Sequence, residues 1–253
     1  MVLTIDIGNT NIVLGVFVGD RLISSCRVFT RKDSLADEYA VLFNNMLNLK
    51  GVNPAQIRHC VISSVVPKLT NRIKEAVESI SIATPIVVAA GLKTGINIMI
   101  DNPAQLGSDM VANAAGVIGR YLLPVIVIDL GTAMTFSVID ENRTFLGGVI
   151  TAGVRTSLDA LTARTSQLPD IDVDAPEKVV GKNTIDSMKS GTVFGAASLI
   201  DGMVERISAE QGKEFKVVAT GGMSRYIIPH CKTKITVDPD LMLYGLYEIY
   251  KRN

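Results

Sequence analysis

No surplus of charge of either sign marks this chain, in which 25 Lys and Arg stand against 25 Asp and Glu. A protein held to nucleic acid by its phosphates needs a basic surplus, so nucleic acid is not an expected partner and small molecules are. Cysteine is scarce as well. Cys26, Cys60 and Cys231 are an odd number without Cys-x-x-Cys spacing, and of only two histidines His59 opens an apolar, strand-like run at Cys60. Neither a disulfide framework nor a zinc site is expected, and reduced thiols suit a cytoplasmic protein. The longest apolar runs, such as Val125 to Ile128, are far too short to span a bilayer, and no basic stretch leads into an apolar one at the N-terminus. No membrane association and no secretory signal are therefore expected. With 47% apolar and 20% charged residues and no low-complexity linker, the composition is that of an ordinary globular chain able to bury a sizeable core.

What is present begins at Leu3. An apolar, β-branched run ends in Asp6-Ile7-Gly8-Asn9-Thr10 and resumes to Phe17, which reads as a strand, a tight turn and a returning strand. Gly8 has no side chain to block an anion, Gly and Asn can aim successive backbone N–H groups into one concavity, and the Thr10 hydroxyl adds a donor. Asp6 would repel a phosphate unless a cation stands between them. A polar hairpin turn would use the same residues. The pattern recurs, however, at Val125 to Thr132, where a β-branched strand runs into Asp129-Leu130-Gly131-Thr132 and another strand follows. Two strand-Asp-apolar-Gly turns point to an internal duplication, with two similar lobes facing each other across a nucleotide.

Between and after these turns the pattern is that of a layered α/β chain. Arg21 to Phe29 reads as a third strand, a helix runs from about Ser34 to Gly51, and a buried parallel strand at His59 to Ser64 precedes a helix at about Leu69 to Ser79. Strands follow at Pro85 to Ala89 and Ile96 to Ile100. Asp109 then opens a helix reaching about Tyr121. A carboxylate there can cap the helix or serve as the general base that receives a hydroxyl proton, and both can hold together. After Pro124 the three-strand opening repeats at Val125 to Asp129, Thr135 to Ile139 and Thr144 to Ile150. A short helix at Arg155 to Thr162, a polar loop carrying Asp170, Asp172 and Asp174, a helix at about Ser187 to Gln211, a strand at Lys216 to Ala219 and a terminal helix at Asp240 to Lys251 complete the chain. The acidic loop lacks the Gly and Glu of a calcium loop and reads as a solvated face. Thr220-Gly221-Gly222 lies at the carboxyl end of a strand, where α/β sheets bind ligands and where bare backbone leaves room for a flat ring.

Phosphoryl transfer needs phosphate cradles, a divalent ion and a base aimed at the acceptor. Gly8, Asn9 and Thr10 are candidates for one cradle, and Gly131 with Thr132 for another. Asp6 would position magnesium, through water because that ion keeps part of its hydration shell. Thr220, Gly221 and Gly222 would border adenosine.

The two turns resemble the phosphate motifs of the acetate and sugar kinase, Hsp70 and actin superfamily. Within it, Asn102 to Asp109, Gly147-Gly148-Val149-Ile150 with Gly153, Asn183-Thr184 and Thr220-Gly221-Gly222 resemble type III pantothenate kinase in order and spacing over nearly the whole chain. The resemblance implies an α/β fold of two similar actin-like (ribonuclease H-like) lobes, each a mixed sheet with flanking helices, at residues 1–117 and 118–253. It implies ATP-dependent phosphorylation of pantothenate in a homodimer, with Asp109 as the catalytic base. ATP would meet Asp6, Ile7, Gly8, Asn9, Thr10, Asn11, Ile12 and Val13 as well as the later turns. Substrate would meet Ile100, Gly107, Ser108, Asp109, Met110 and Thr184, and Asp129 would bind a monovalent cation, potassium or ammonium. Three residues depart from the family pattern. Met110 stands where Arg is usual, Ile100 where an aromatic is common, and Ala152 where Pro precedes the glycine. A lost charge and ring at the acceptor site leave a kinase of another small hydroxylated acceptor as an alternative. A non-catalytic nucleotide-dependent regulatory protein is a second, although such a switch has no need of Asp109.

Overall fold

The computed structural model describes residues 1–253. In chain order the elements are β1 (Val2–Ile7), β2 (Asn11–Val18), β3 (Arg21–Phe29), α1 (Ala36–Leu49), β4 (His59–Ser64), α2 (Pro67–Ile80), β5 (Pro85–Val87), β6 (Asn97–Ile98) and α3 (Ser108–Arg120). They continue with β7 (Val125–Leu130), β8 (Ala133–Ile139), β9 (Thr144–Ala152), α4 (Val154–Ala163), α5 (Thr184–Gln211), β10 (Lys216–Thr220), α6 (Ser224–Ile227), β11 (Ile235–Val237) and α7 (Leu241–Tyr250). One compact unit comprises Met1–Ile96, Asp101–Arg120 and Asp240–Asn253; the other comprises Asn97–Ile100 and Tyr121–Pro239.

In the first unit a five-stranded sheet has the order β3-β2-β1-β4-β5. β1, β2 and β3 run antiparallel, whereas β4 and β5 are added in parallel, as expected when helices cross between strands. Alternation along β1 sets the two faces. Leu3, Ile5 and Ile7 bury against Tyr39, Phe43 and Leu47 of α1 and Leu69, Ile73 and Val77 of α2; each such side chain withdrawn from water contributes about 1.5–3 kcal/mol. On the other face Val2 and Phe17 meet Leu243 and Tyr247 of α7, and the Phe17 and Tyr247 rings stack with centroids 4.3 Å apart.

α7 corrects the expected division of the chain, which assigned every residue after 117 to the second lobe. Its glycine face packs backbone to backbone on α3, because a Cβ on Gly245 would overlap the Ala112 carbonyl oxygen and one on Gly116 would lie 2.6 Å from the Leu241 carbonyl oxygen. Local periodicity identifies an apolar helix but not the sheet that it covers.

The second unit repeats the first. Its six-stranded sheet has the order β11-β10-β7-β8-β9-β6, so β9-β8-β7-β10-β11 reproduces β3-β2-β1-β4-β5 with the same directions. Ile126, Ile128 and Leu130 face Val193, Ala197, Ile200 and Val204 of α5. β6, shorter than the expected strand, adds in parallel to β9. β11 was not expected, because only Ile235 of its three residues is partly buried and the other two are exposed, which leaves no strand pattern to read. α5 starts at Thr184 rather than Ser187, because the Asn183 side chain caps it by accepting from the Asp186 N–H at 2.9 Å. Similarly, Pro67 opens α2 at N1 instead of preceding it, where its missing N–H costs nothing.

Candidate active site

The first turn is built by the end of β1. Ile7 pairs with Ile12, and the loop between them closes where the Gly8 N–H donates to the Asn11 carbonyl at 3.0 Å. Thr30, the residue after β3, holds it in place, since its N–H donates to the Thr10 carbonyl at 2.9 Å and its hydroxyl to the Gly8 carbonyl at 2.7 Å. A Cβ on Gly8 would lie 3.0 Å from the Asn11 oxygen, a tight contact that bare backbone avoids. Asn9 and Thr10 are exposed, while Asn11 and Val13 are half-buried. Ile7 and Ile12 are fully buried, so of the expected ATP contacts these two have only backbone to offer.

Asp6 lies on the opposite face of β1 from Ile5 and Ile7, and its parallel partner on β4 is Ser63. Ser63 is fully buried, with its hydroxyl 3.0 Å from that of Ser108 at the start of α3. The Ser108 hydroxyl also accepts from the Ser64 N–H and donates to the Ser64 carbonyl, both at 3.1 Å. Asp109 follows directly. Its Oδ1 accepts from the Met110 N–H at 2.8 Å, so it satisfies one of the free first-turn donors. Burial pushes the Asp109 carboxyl above the usual carboxylate range, against the lowering effect of this backbone hydrogen bond. Gly107 makes room for the carboxylate, since a Cβ there would collide with Oδ1. Met110 is only 8% exposed and brings no charge. Ile100 follows β6 in the second unit and is half-buried.

The second unit builds the corresponding turn. Asp129 pairs in parallel with Thr220, as Asp6 does with Ser63. The Gly131 N–H donates to the Ala133 carbonyl at 3.1 Å, and the Thr132 carbonyl accepts from the Gly153 N–H at 3.0 Å and the Thr156 hydroxyl at 2.7 Å. Gly153 at the start of α4 touches the turn so closely that a Cβ would overlap the Gly131 carbonyl. Gly221, at a φ of +90°, lies over the end of β7, where a Cβ would be 2.6 Å from both Asp129 Oδ1 and the Leu130 carbonyl oxygen. The Ser224 hydroxyl holds the Gly221 carbonyl at 2.7 Å. Asp129, Gly131, Thr132, Thr220 and Gly221 are thus together, with Gly222 half-buried beside them. Thr184 lies elsewhere in this unit, on the wall of an open cavity of about 770 Å³ that Met134, Leu158, Met188 and Leu199 also line.

Arg155 is engaged with Asp159 at 2.7 Å and Asp170 at 2.8 Å. The acidic loop is thereby paired rather than purely solvated, with Asp174 also bound to Lys189 at 2.7 Å. The parts missed in the sequence are Ser63 and Ser64. A hydroxyl pair ending an apolar strand was visible, but nothing local indicated a partner 45 residues away.

Each turn, taken by itself, suits a magnesium-bound phosphate. Each turn presents backbone without a Cβ where phosphate oxygens need close approach, and each has a carboxylate at the preceding strand end. No three carboxylate, histidine or cysteine side chains cluster as a metal cage, and magnesium is commonly held by one or two carboxylates, waters and phosphate oxygens.

The family described as type III pantothenate kinase matches residues 2–206. A type III pantothenate kinase of Roseiflexus sp. strain RS-1 is 43% identical over 253 residues, covering 100% of this chain and 99% of that protein. Among solved structures, a Campylobacter jejuni protein assigned to the Baf family of transcriptional activators has a TM-score of 0.63 at 18% identity, covering 98% of this chain and 97% of the other. An inorganic polyphosphate/ATP-glucomannokinase from Arthrobacter sp. strain KM gives 0.52 at 15% identity, covering 100% and 99%. Such low identities speak for the fold alone, the actin-like α/β architecture already visible in the duplicated sheets. Sequence similarity across the whole length carries more, and by it the chain belongs to the type III pantothenate kinase family.

Proposed function

We infer that this chain phosphorylates pantothenate with ATP, giving 4'-phosphopantothenate in the first step of coenzyme A synthesis. The observation that carries the reading is Asp109, a carboxylate in the first turn of α3 whose proton affinity is raised by burial, in a chain of this family. As the acceptor hydroxyl oxygen attacks the γ-phosphorus, its proton passes to Asp109 and the bond from that phosphorus to the ADP oxygen breaks. Asn9 and Thr10 donate to phosphate oxygens from the first unit and Thr132 from the second, while Gly8 and Gly131, whose N–H groups are bonded within the turns, let the phosphates approach closely, and Thr220, Gly221 and Gly222 border the adenosine. Magnesium bound with ATP supplies charge neutralisation on the phosphates, and Asp6 would hold it through water. Asp129 would hold a monovalent cation, potassium or ammonium. In a cytoplasmic homodimer Thr184 contacts pantothenate bound near Gly107, Ser108 and Asp109.

Met110 favours one second reading. Buried and uncharged where the family pattern has Arg, it leaves the acceptor carboxylate without a cation from this position, so another small hydroxylated acceptor is the alternative. ADP release from the purified protein with magnesium-ATP in potassium buffer, with and without pantothenate, separates the readings. Strong stimulation by pantothenate supports the first. Its absence in folded, ATP-binding protein moves the assignment to another acceptor or to a regulatory role.

A further inference from the structure

We propose that Ser108 and Ser63 are positioning residues that fix the distance between Asp109 and the Gly8 turn, and that the Ser108 hydroxyl makes no contact with substrate. This rests on the reading of Asp109 as the base. A serine hydroxyl has one proton to donate and two lone pairs to accept. At Ser108 all three are used. The proton goes to the Ser64 carbonyl at 3.1 Å, and the lone pairs receive the Ser64 N–H at 3.1 Å and the Ser63 hydroxyl at 3.0 Å. Nothing is left for an acceptor molecule.

The grip on Ser64 is two-pointed, taking both its N–H and its carbonyl, as a neighbouring strand would. Ser64 is itself held from the other side, where its hydroxyl accepts from Thr70 of α2 at 2.9 Å and from the Val66 N–H at 3.2 Å. In the sheet Ser64 pairs with Ile7 and Ser63 with Asp6. The residue before the base is therefore bonded to the strand end registered against the residues leading into Gly8. Asp109 follows Ser108 by one peptide, so the clamp sets where the carboxylate stands relative to the phosphate turn of the same unit.

Displacing a reacting group by about 1 Å is enough to cost roughly 100-fold in rate. Ser108→Ala is expected to lower kcat by roughly 10- to 100-fold with the KM for pantothenate and for ATP unchanged. Ser63→Ala, which removes one of the three bonds, lowers it less, and Ser108→Thr, which keeps the hydroxyl, restores most of it. Steady-state kinetics on these variants and on Asp109→Asn test the proposal. A rise in the pantothenate KM of Ser108→Ala makes Ser108 a substrate contact and overturns it, as does an unchanged kcat. If Ser108→Ala does not fold, Ser63→Ala decides by the same two readouts. Wild-type turnover in Asp109→Asn would instead remove the base reading itself, so the two failures are distinguishable.

Discussion

Gly245 of α7 lies so close to the carbonyl oxygen of Ala112 on α3 that a methyl group in its place would overlap that oxygen. Helices packed on bare backbone in this way cannot separate locally without losing the contacts along both, and α3 is the helix that starts at Ser108 and Asp109. A side chain as small as alanine at Gly245 therefore acts on the whole helix pair. Overpacking of this kind costs typically 1–3 kcal/mol, and a protein of this size loses about 2–4 °C for each. Gly245→Ala is expected to melt roughly 2–12 °C lower by circular dichroism. An unchanged midpoint would mean that α7 yields without cost.

Asp109→Asn removes the proton acceptor while keeping the shape. Turnover is expected to fall by roughly 100- to 10,000-fold, the usual contribution of a positioned base, with ATP binding retained in calorimetry. The same change removes a partly buried charge. A carboxyl whose pKa is raised on folding favours the folded state fully below its unfolded value and loses that advantage as pH rises through the folded one. The variant is therefore expected to melt higher than the parent at neutral pH, with the difference vanishing in acid. Weaker melting at neutral pH would show that the carboxylate stabilises the helix start more than its burial destabilises it.

Activity must follow the same ionisation with the opposite sense. The base works only when deprotonated, so kcat/KM, which reports the free enzyme, is present above the Asp109 pKa and falls as pH drops through it. Burial raises that pKa, so the acidic limb is expected above the usual carboxylate range. A limb at the value of an exposed aspartate would show that the carboxylate is not buried in solution.

Gly221 and Gly153 are expected to tolerate no side chain, for different reasons. At Gly221 the positive φ, the Asp129 carboxylate and the Leu130 carbonyl all oppose a Cβ, whereas at Gly153 the obstacles are the Gly131 and Thr132 carbonyls. Gly221→Ala and Gly153→Ala should each push the second turn out of place and weaken magnesium-ATP binding at least about tenfold, close to 1.4 kcal/mol. Equilibrium titration with a fluorescent ATP analogue measures this. Binding unaltered in both variants would place the nucleotide away from this turn.

The two turns and the sheets that carry them were legible in the amino-acid sequence because their signals are local. Strand periodicity and a β-branched run into Asp-x-Gly each lie within about a dozen residues, the same signal recurs at Asp129, and the repeated three-strand opening follows from them. Asp109 at the start of a helix was legible for the same reason. Only the tertiary structure decided that α7 covers the first sheet and that Ser108 is bonded to β4. It also decided that Gly153 and Gly221 close on the turn at Asp129. These are contacts between segments distant in the chain, made through backbone atoms every residue possesses or through hydroxyls that many residues carry. Their partners are selected by the packing of the finished unit, and no spacing within the sequence encodes that selection.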